Sequence, residues 1–306
     1  MSFKNITQCK KVASVDGEVR GASYNAKLDA VALLSWNPVQ LTLIGRAGTG
    51  AKSHNIGLDD VDDIVLLSRD TAVIKASSET WQVLDLAHKP RVDPLGNDAR
   101  MLVGPQGEQA LALRWDNTCD ALTPGKNEVA LRNFKLRGDH RAVDLGENEC
   151  YVVADGGEGE FRIHPGATPE QGSLAKVELP LGSKKLDRVR GGKFLSAIYK
   201  KGGTECCIVR RAGNRVEPKL LHLDAQIADV VIAETCLVVV SKDGRALLYD
   251  PEALDKAVGG AVPKAELGLG CNGEPKVAVN ARGNLFVGTN TGEVFMAVLL
   301  RTSVLV

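Results

Sequence analysis

Short apolar runs broken by turn residues dominate this chain, and they recur in one layout. Leu237–Ser241 is a nearly continuous apolar run, Lys242-Asp243-Gly244 interrupts it, and Arg245–Asp250 resumes it. The order returns in Leu285–Gly288, Thr289–Gly292 and Glu293–Val298. Runs this short read as buried or half-buried strands, and Asp-Gly and Asn-x-Gly supply the positive φ that tight hairpin turns require. Five further pairs follow the same rule: Ala30–Leu34 with Gln40–Ile44, Ile64–Leu67 with Ala72–Lys75, Met101–Val103 with Ala110–Leu113, Tyr151–Val153 with Glu160–Ile163, and Leu195–Tyr199 with Cys206–Val209.

Each hairpin has flanking partners. A third run follows six of them: His54–Leu58, Trp81–Leu86, Val129–Phe134, Ala175–Leu179, Pro218–Leu223 and Lys264–Leu269. A short strand precedes others, as at Arg188-Val189, Ile227–Ile232 and Pro275–Val279. Four strands per unit, repeating about every 40 residues, is the arrangement of propeller blades. The expectation is therefore all-β: one seven-bladed β-propeller over residues 1–306, with four antiparallel strands per blade. The seventh unit lacks an outer strand of its own. Lys10–Val15 has no other partner, so it is expected to supply that strand and close the ring, which removes exposed sheet edges. Asp116–Lys126 and Pro251–Val262 read as insertions. A β-sandwich, or a ring of six or eight blades, are the competing architectures.

Through these hairpins and the N-terminal closing strand, the chain resembles the WD-repeat-like seven-bladed propellers. The resemblance is one of architecture over nearly the whole chain. The Gly-His and Trp-Asp signature pairs of WD repeats are missing, and Trp115-Asp116 forms the dipeptide once. It implies a fold and no particular activity.

Composition narrows the partner classes. Lys plus Arg and Asp plus Glu both total 38, so the formal net charge is zero and the basic excess of a nucleic-acid binder is missing. The N-terminus has no apolar core of a secretory signal, and no apolar run reaches bilayer length, so a cytoplasmic protein without a membrane partner is expected. The seven cysteines form no CxxC pair and read as reduced, buried side chains; Cys206 and Cys207 would face opposite sides of one strand.

Motifs with apparent chemistry fail on context. Gly45–Ser53 imitates a phosphate-binding loop, but Ala51 separates Gly50 from Lys52 and a strand pattern follows where a helix is needed. Gly268–Gly273 has GxGxxG spacing, yet Glu274-Pro275 opens no helix. The five histidines (His54, His88, His140, His164 and His222) share no ligand spacing, and Asp59-Asp60-Val61-Asp62-Asp63 lacks the spaced ligands of a calcium loop. No catalytic residue, metal or cofactor is expected.

Topology adds one inference. In a four-strand unit, the turn between strands two and three opens at the same end as the connection into the next unit. That end should carry Asp59 and Asp60 on one side, Lys184, Lys185, Lys200 and Lys201 on another, and Trp36 and Tyr199 as aromatic anchors. Aromatic and charged side chains of this kind concentrate binding energy and steer encounter. The expected function is a non-catalytic protein–protein interaction scaffold or adaptor whose partner is another protein, with neither nucleic acid nor a small-molecule substrate. The competing expectation is a hydrolase or lyase using Asp144, Asp187 and Asp229, with a divalent metal, in a central channel.

Overall fold

A computed structural model of the protein describes residues 3–106, 108–136, 138–146, 148–166, 172–213, 215–234, 236–250 and 262–301. The described residues are all-β apart from one 3₁₀ turn at Ser183–Lys185. Strand β1 (Phe3–Ser14) is followed by the sheet β2 (Glu18–Asn25), β3 (Ala30–Trp36), β4 (Gln40–Gly45) and β5 (Lys52–Asn55). Next come β6 (Val61–Ser68), β7 (Thr71–Ala76), β8 (Glu79–Leu84), β9 (Arg91–Gln106), β10 (Gln109–Arg114), β11 (Thr118–Pro124) and β12 (Val129–Lys135), paired in that order. A third sheet holds β13 (His140–Gly146), β14 (Glu149–Ala154), β15 (Glu160–Pro165) and β16 (Ala175–Glu178). A fourth holds β17 (Arg188–Arg190), β18 (Leu195–Tyr199), β19 (Glu205–Ala212) and β20 (Arg215–His222). Then follow β21 (Ile227–Ala233), β22 (Cys236–Ser241), β23 (Arg245–Tyr249) and β24 (Ala265–Gly268), and last β25 (Pro275–Ala281), β26 (Asn284–Thr289) and β27 (Glu293–Arg301).

The turn chemistry that marks the hairpins is realised: Gly244 and Gly292 hold φ of 83° and 77° between their strands. Strand β1 pairs antiparallel with β27, placing Lys11 opposite Phe295 and Ser14 opposite Glu293. The N-terminal segment therefore does become the fourth strand of the last sheet.

Two units differ from the sequence expectation. Arg91–Asp98 of β9 pairs with β8, while Ala99–Gln106 pairs with β10, so one bent strand ends one unit and begins the next. Pro94 and Gly96 make this segment read as a loop, yet an outer strand tolerates proline because one of its edges carries no ladder. As a result, the second and third hairpins are strands one and two of their units, not two and three. Thr118–Pro124, expected as part of an insertion, is β11. Its apolar pattern is broken by Asp120, which is 3% exposed and accepts a 2.7 Å bond from Asn133 Nδ2. Of the other expected insertion, residues 251–261 lie outside the described residues.

Buried apolar side chains fall into seven clusters, each filling the space between two successive four-strand units. One cluster joins β21–β24 to the sheet of β25–β27 and β1, and another joins that sheet to β2–β4. Cys206 and Cys207 enter different clusters, as their alternation requires, and all seven cysteines are free thiols. Burying such aliphatic side chains contributes about 1.5–3 kcal/mol each before entropy is counted. The first strands β2, β6, β9, β13, β17, β21 and β25 touch in succession, and β25 touches β2.

Candidate functional site

Because the strands alternate in direction, the starts of the seven first strands gather at one end, around an axial cavity of about 310 Å³. Every first strand contributes a wall. Six cationic side chains line it: Arg20, Lys75, Arg100, Arg188, Arg190 and Lys201. Three carboxylates accompany them, Asp62, Asp63 and Asp229. A second cavity of about 210 Å³ lies deeper, walled largely by Ala22, Val231, Ala278 and their neighbours, with Arg190 and Asp144 as its charged groups.

Asp229 is the hub of the floor. It is 1% exposed and takes bonds from Tyr199 Oη at 2.6 Å, the Ala278 amide at 2.9 Å and the Val230 amide at 2.9 Å. Arg190 Nη2 and Lys201 Nζ each lie 3.7 Å from its oxygens. Burial pushes this carboxyl up, but Lys201, Arg190 and the Tyr199 hydroxyl outweigh it and hold it below the ordinary aspartate range. Asp63 behaves oppositely. Burial raises it, and Arg188, the Ile64 amide, Arg190 and Lys201 offset that only in part. Asp144 is also raised by burial, although Arg190 and the Gly191 amide, 2.7 Å away, oppose this. Burial lowers the Lys201 ammonium, with Arg188 and Arg190 adding to the effect and Asp229 resisting it.

The residues expected at this end divide into three groups. Trp36 and Asp60 are brought together by Arg20, whose guanidinium lies 3.9 Å from the indole centroid and bonds Asp60 Oδ1 at 2.9 Å. Asp59 is exposed beside them. Lys184, Lys185 and Lys200 are exposed, with Lys185 ion-paired to Glu205. Lys201 instead turns inward, donating to the Lys276 carbonyl at 3.0 Å. Tyr199 is corrected from surface anchor to buried support: it is 1% exposed, because its hydroxyl is committed to Asp229. Of the channel carboxylates, Asp229 and Asp144 line the two cavities, whereas Asp187 is exposed on the connection before β17 and lines neither.

The sequence patterns assign Arg20, Arg100, Arg188, Arg190 and Asp63 to no site; Asp63 figures there only in the acidic run Asp59–Asp63, and Arg188 only in a short strand. Their only signal was charge at the starts of first strands, as in Arg188-Val189-Arg190, where Val189 faces the core. Nor do the patterns place among the site residues Trp115, read only as part of a Trp-Asp dipeptide and 64% exposed in the β10–β11 turn, or Leu181, 84% exposed before β17. Hydrogen bonds tie their neighbourhoods together: Asn117 Nδ2 to Asp139 at 2.8 Å, the Asp155 amide to the Asp139 carbonyl at 2.7 Å, and the Gly182 amide to Glu158 at 2.8 Å. The two imitation motifs are strand connections as expected: Gly45–Ser53 runs from the end of β4 through residues 46–51 into β5, and Gly268–Gly273 from the end of β24 toward β25. Among the described residues, no group of three or more His, Cys, Asp or Glu side chains is placed to hold a metal ion. No helix among them is long and apolar enough to cross a membrane.

Neither a protein-family model nor a curated protein sequence matches the chain. Solved structures do. Hsv2 of Kluyveromyces lactis aligns with a TM-score of 0.60 at 11% identity, over 90% of this chain and 91% of that one. A KlHsv2 form with loop 6CD replaced by a Gly-Ser linker aligns with a TM-score of 0.61 at 12% identity, over 90% of both chains. The fold is a β-propeller. At such low identity the likeness extends to the fold alone.

Proposed function

We propose that the chain is a seven-bladed propeller, closed by β1, that acts as a non-catalytic scaffold for another protein. Seven inter-sheet cores and the contact of β25 with β2 support the closed ring. The scaffold reading rests chiefly on one observation. Trp115 and Leu181 stand exposed at the same end of the ring as Lys184, Lys185 and Lys200, on connections braced by hydrogen bonds. Rigidly held aromatic and apolar side chains beside charges suit a partner hot spot, since little ordering cost remains on binding. The partner face is thus centred on Trp115 and the lysines, with Trp36, Asp59 and Asp60 on its acidic flank. A hydrolase or lyase has less support, because Asp229 is saturated by donors and Asp187 lies outside both cavities.

The test is affinity capture of the tagged protein from its native cell extract, read by mass spectrometry. A stoichiometric partner is expected with the wild type and is lost with Trp115→Ala and with the combined Lys184→Glu, Lys185→Glu and Lys200→Glu protein. Equal capture by the wild type and both variants, or no stoichiometric partner at all, overturns the reading.

A further inference from the structure

We propose that the axial mouth cavity is an anion site that takes a small phosphorylated molecule, held through Arg188, Arg100, Arg190 and Lys201. The inference stands independently of any protein partner. It begins from charge. Six cations face three carboxylates around about 310 Å³, an excess of three positive charges among the lining residues. Among the described residues, Arg20 alone of the six is also ion-paired outside the lining, with Asp60. Like charges gathered away from bulk water repel strongly, and Arg188 and Arg190 both act unfavourably on the Lys201 ammonium. A bound anion relieves that repulsion.

The donors are unevenly committed. Arg190 and Lys201 are anchored by Asp229, which fixes their heads at the cavity floor. Arg100 gives one nitrogen to the His140 carbonyl, and its Nε is buried without a hydrogen-bond partner among the described residues. The Arg188 side chain makes no hydrogen bond or ion pair among them, and its nearby charges are Asp63 and the other cations. The site therefore pairs a fixed floor with two guanidinium groups that have donors to spare.

Size and chemistry select the ligand. A cavity near 300 Å³ sits at the small end of the range for bound molecules. A single carboxylate would neutralise one charge of the three. A phosphate monoester brings up to two charges on tetrahedral oxygens, which guanidinium forks engage bidentately while an ammonium supplies a point charge. The four cations come from β9, β17 and the β18–β19 turn, so they approach from more than one side.

The experiment is calorimetric titration of the full chain with pyrophosphate and with inorganic phosphate, at constant ionic strength set by chloride. One pyrophosphate per chain is expected, binding more tightly than phosphate. Arg188→Gln should weaken it about tenfold, the loss of one charge-assisted contact, and it removes no bond within the fold. Asp63→Asn, which deletes a competing negative charge, should tighten binding severalfold. Absence of heat beyond the chloride control in the wild type, or unchanged affinity in Arg188→Gln, overturns the proposal. So does tighter binding of an acidic peptide than of pyrophosphate, lost in the same Arg188→Gln protein, which would assign the cavity to a polypeptide.

Discussion

The mouth cavity and the deeper cavity share walls at Ala22, Gly104 and Arg190 and differ sharply in charge. The first has six cationic lining residues, and the second has Arg190 alone, with Asp144 as its one carboxylate among the described residues. Apart from β6, which lines only the mouth, the same first strands build both, so the contrast is largely one of position along the strand. At the strand starts, long side chains reach toward water while their stems cover the wall, which makes charge tolerable. Deeper in, small residues such as Gly191 and Ala278 take their place. The first strands thus concentrate charge near their starts and packing further along.

The comparison breaks most directly at its two buried carboxylates. Asp229→Ala would leave Arg190, Lys201 and Tyr199 without their counterpart, and removing one partner of a buried ionic network costs about 3–5 kcal/mol. Asp144 is bonded through the Gly191 amide and has fewer dependants, so Asp144→Ala should cost clearly less. Urea unfolding of the two variants decides it. Equal losses would show that the deeper cavity depends on charge as much as the mouth does.

The packing side of the contrast is tested at Gly191. A Cβ there would lie 1.9 Å from Cδ2 of Tyr151, whose ring is 1% exposed and cannot step aside into solvent. Gly191→Ala should therefore lower stability by about 1–3 kcal/mol, the usual cost of overpacking. Combining it with Tyr151→Leu should cost less than the two single losses added, because the residues compete for one space. Simple additivity in thermal melts would remove the steric explanation.

How much of this could be read along the chain follows from the same physics. Hairpins such as Leu237–Ser241 with Arg245–Tyr249 were legible because alternation and a glycine turn agree. The pairing of β1 with β27 was legible because an apolar segment without a neighbour needs one. Strand β9 was not, since Pro94 and Gly96 are read as loop residues unless the edge position is known in advance. The cavity was least legible. Arg20, Arg100 and Arg188 lie 80 to 168 positions apart and meet only where the starts of the first strands gather, while each alone reads as a solvated strand end. Tyr199 failed for a related reason: a turn-flanking tyrosine looks like an anchor until the carboxylate beneath it, 30 residues on, is in place.

The smallest effect tests the finer contrast within the mouth itself, between Asp229 and Asp63. Both are aspartates facing Arg190 and Lys201, yet their carboxyls shift in opposite directions. Asp229 has three hydrogen-bond donors on its oxygens, whereas Asp63 has the Ile64 amide at 2.9 Å and otherwise depends on more diffuse attraction to the cations. Since the folded Asp63 carboxyl titrates above its unfolded value of 3.8, the folded chain holds the proton more tightly in the window between the two. Stability therefore falls as pH rises through that window, and the ionised side chain remains a net cost at neutral pH. Asp63→Asn removes the charge and keeps an oxygen for the Ile64 amide. Its melting temperature should exceed that of the wild type slightly at pH 7, with the difference fading as pH drops below 3.8, where both side chains are neutral. A variant less stable than the wild type at pH 7 would make Asp63 a counter-ion equivalent to Asp229. Both carboxylates would then hold the mouth's cations in place, and the opposite shifts of Asp229 and Asp63 would carry no consequence for stability.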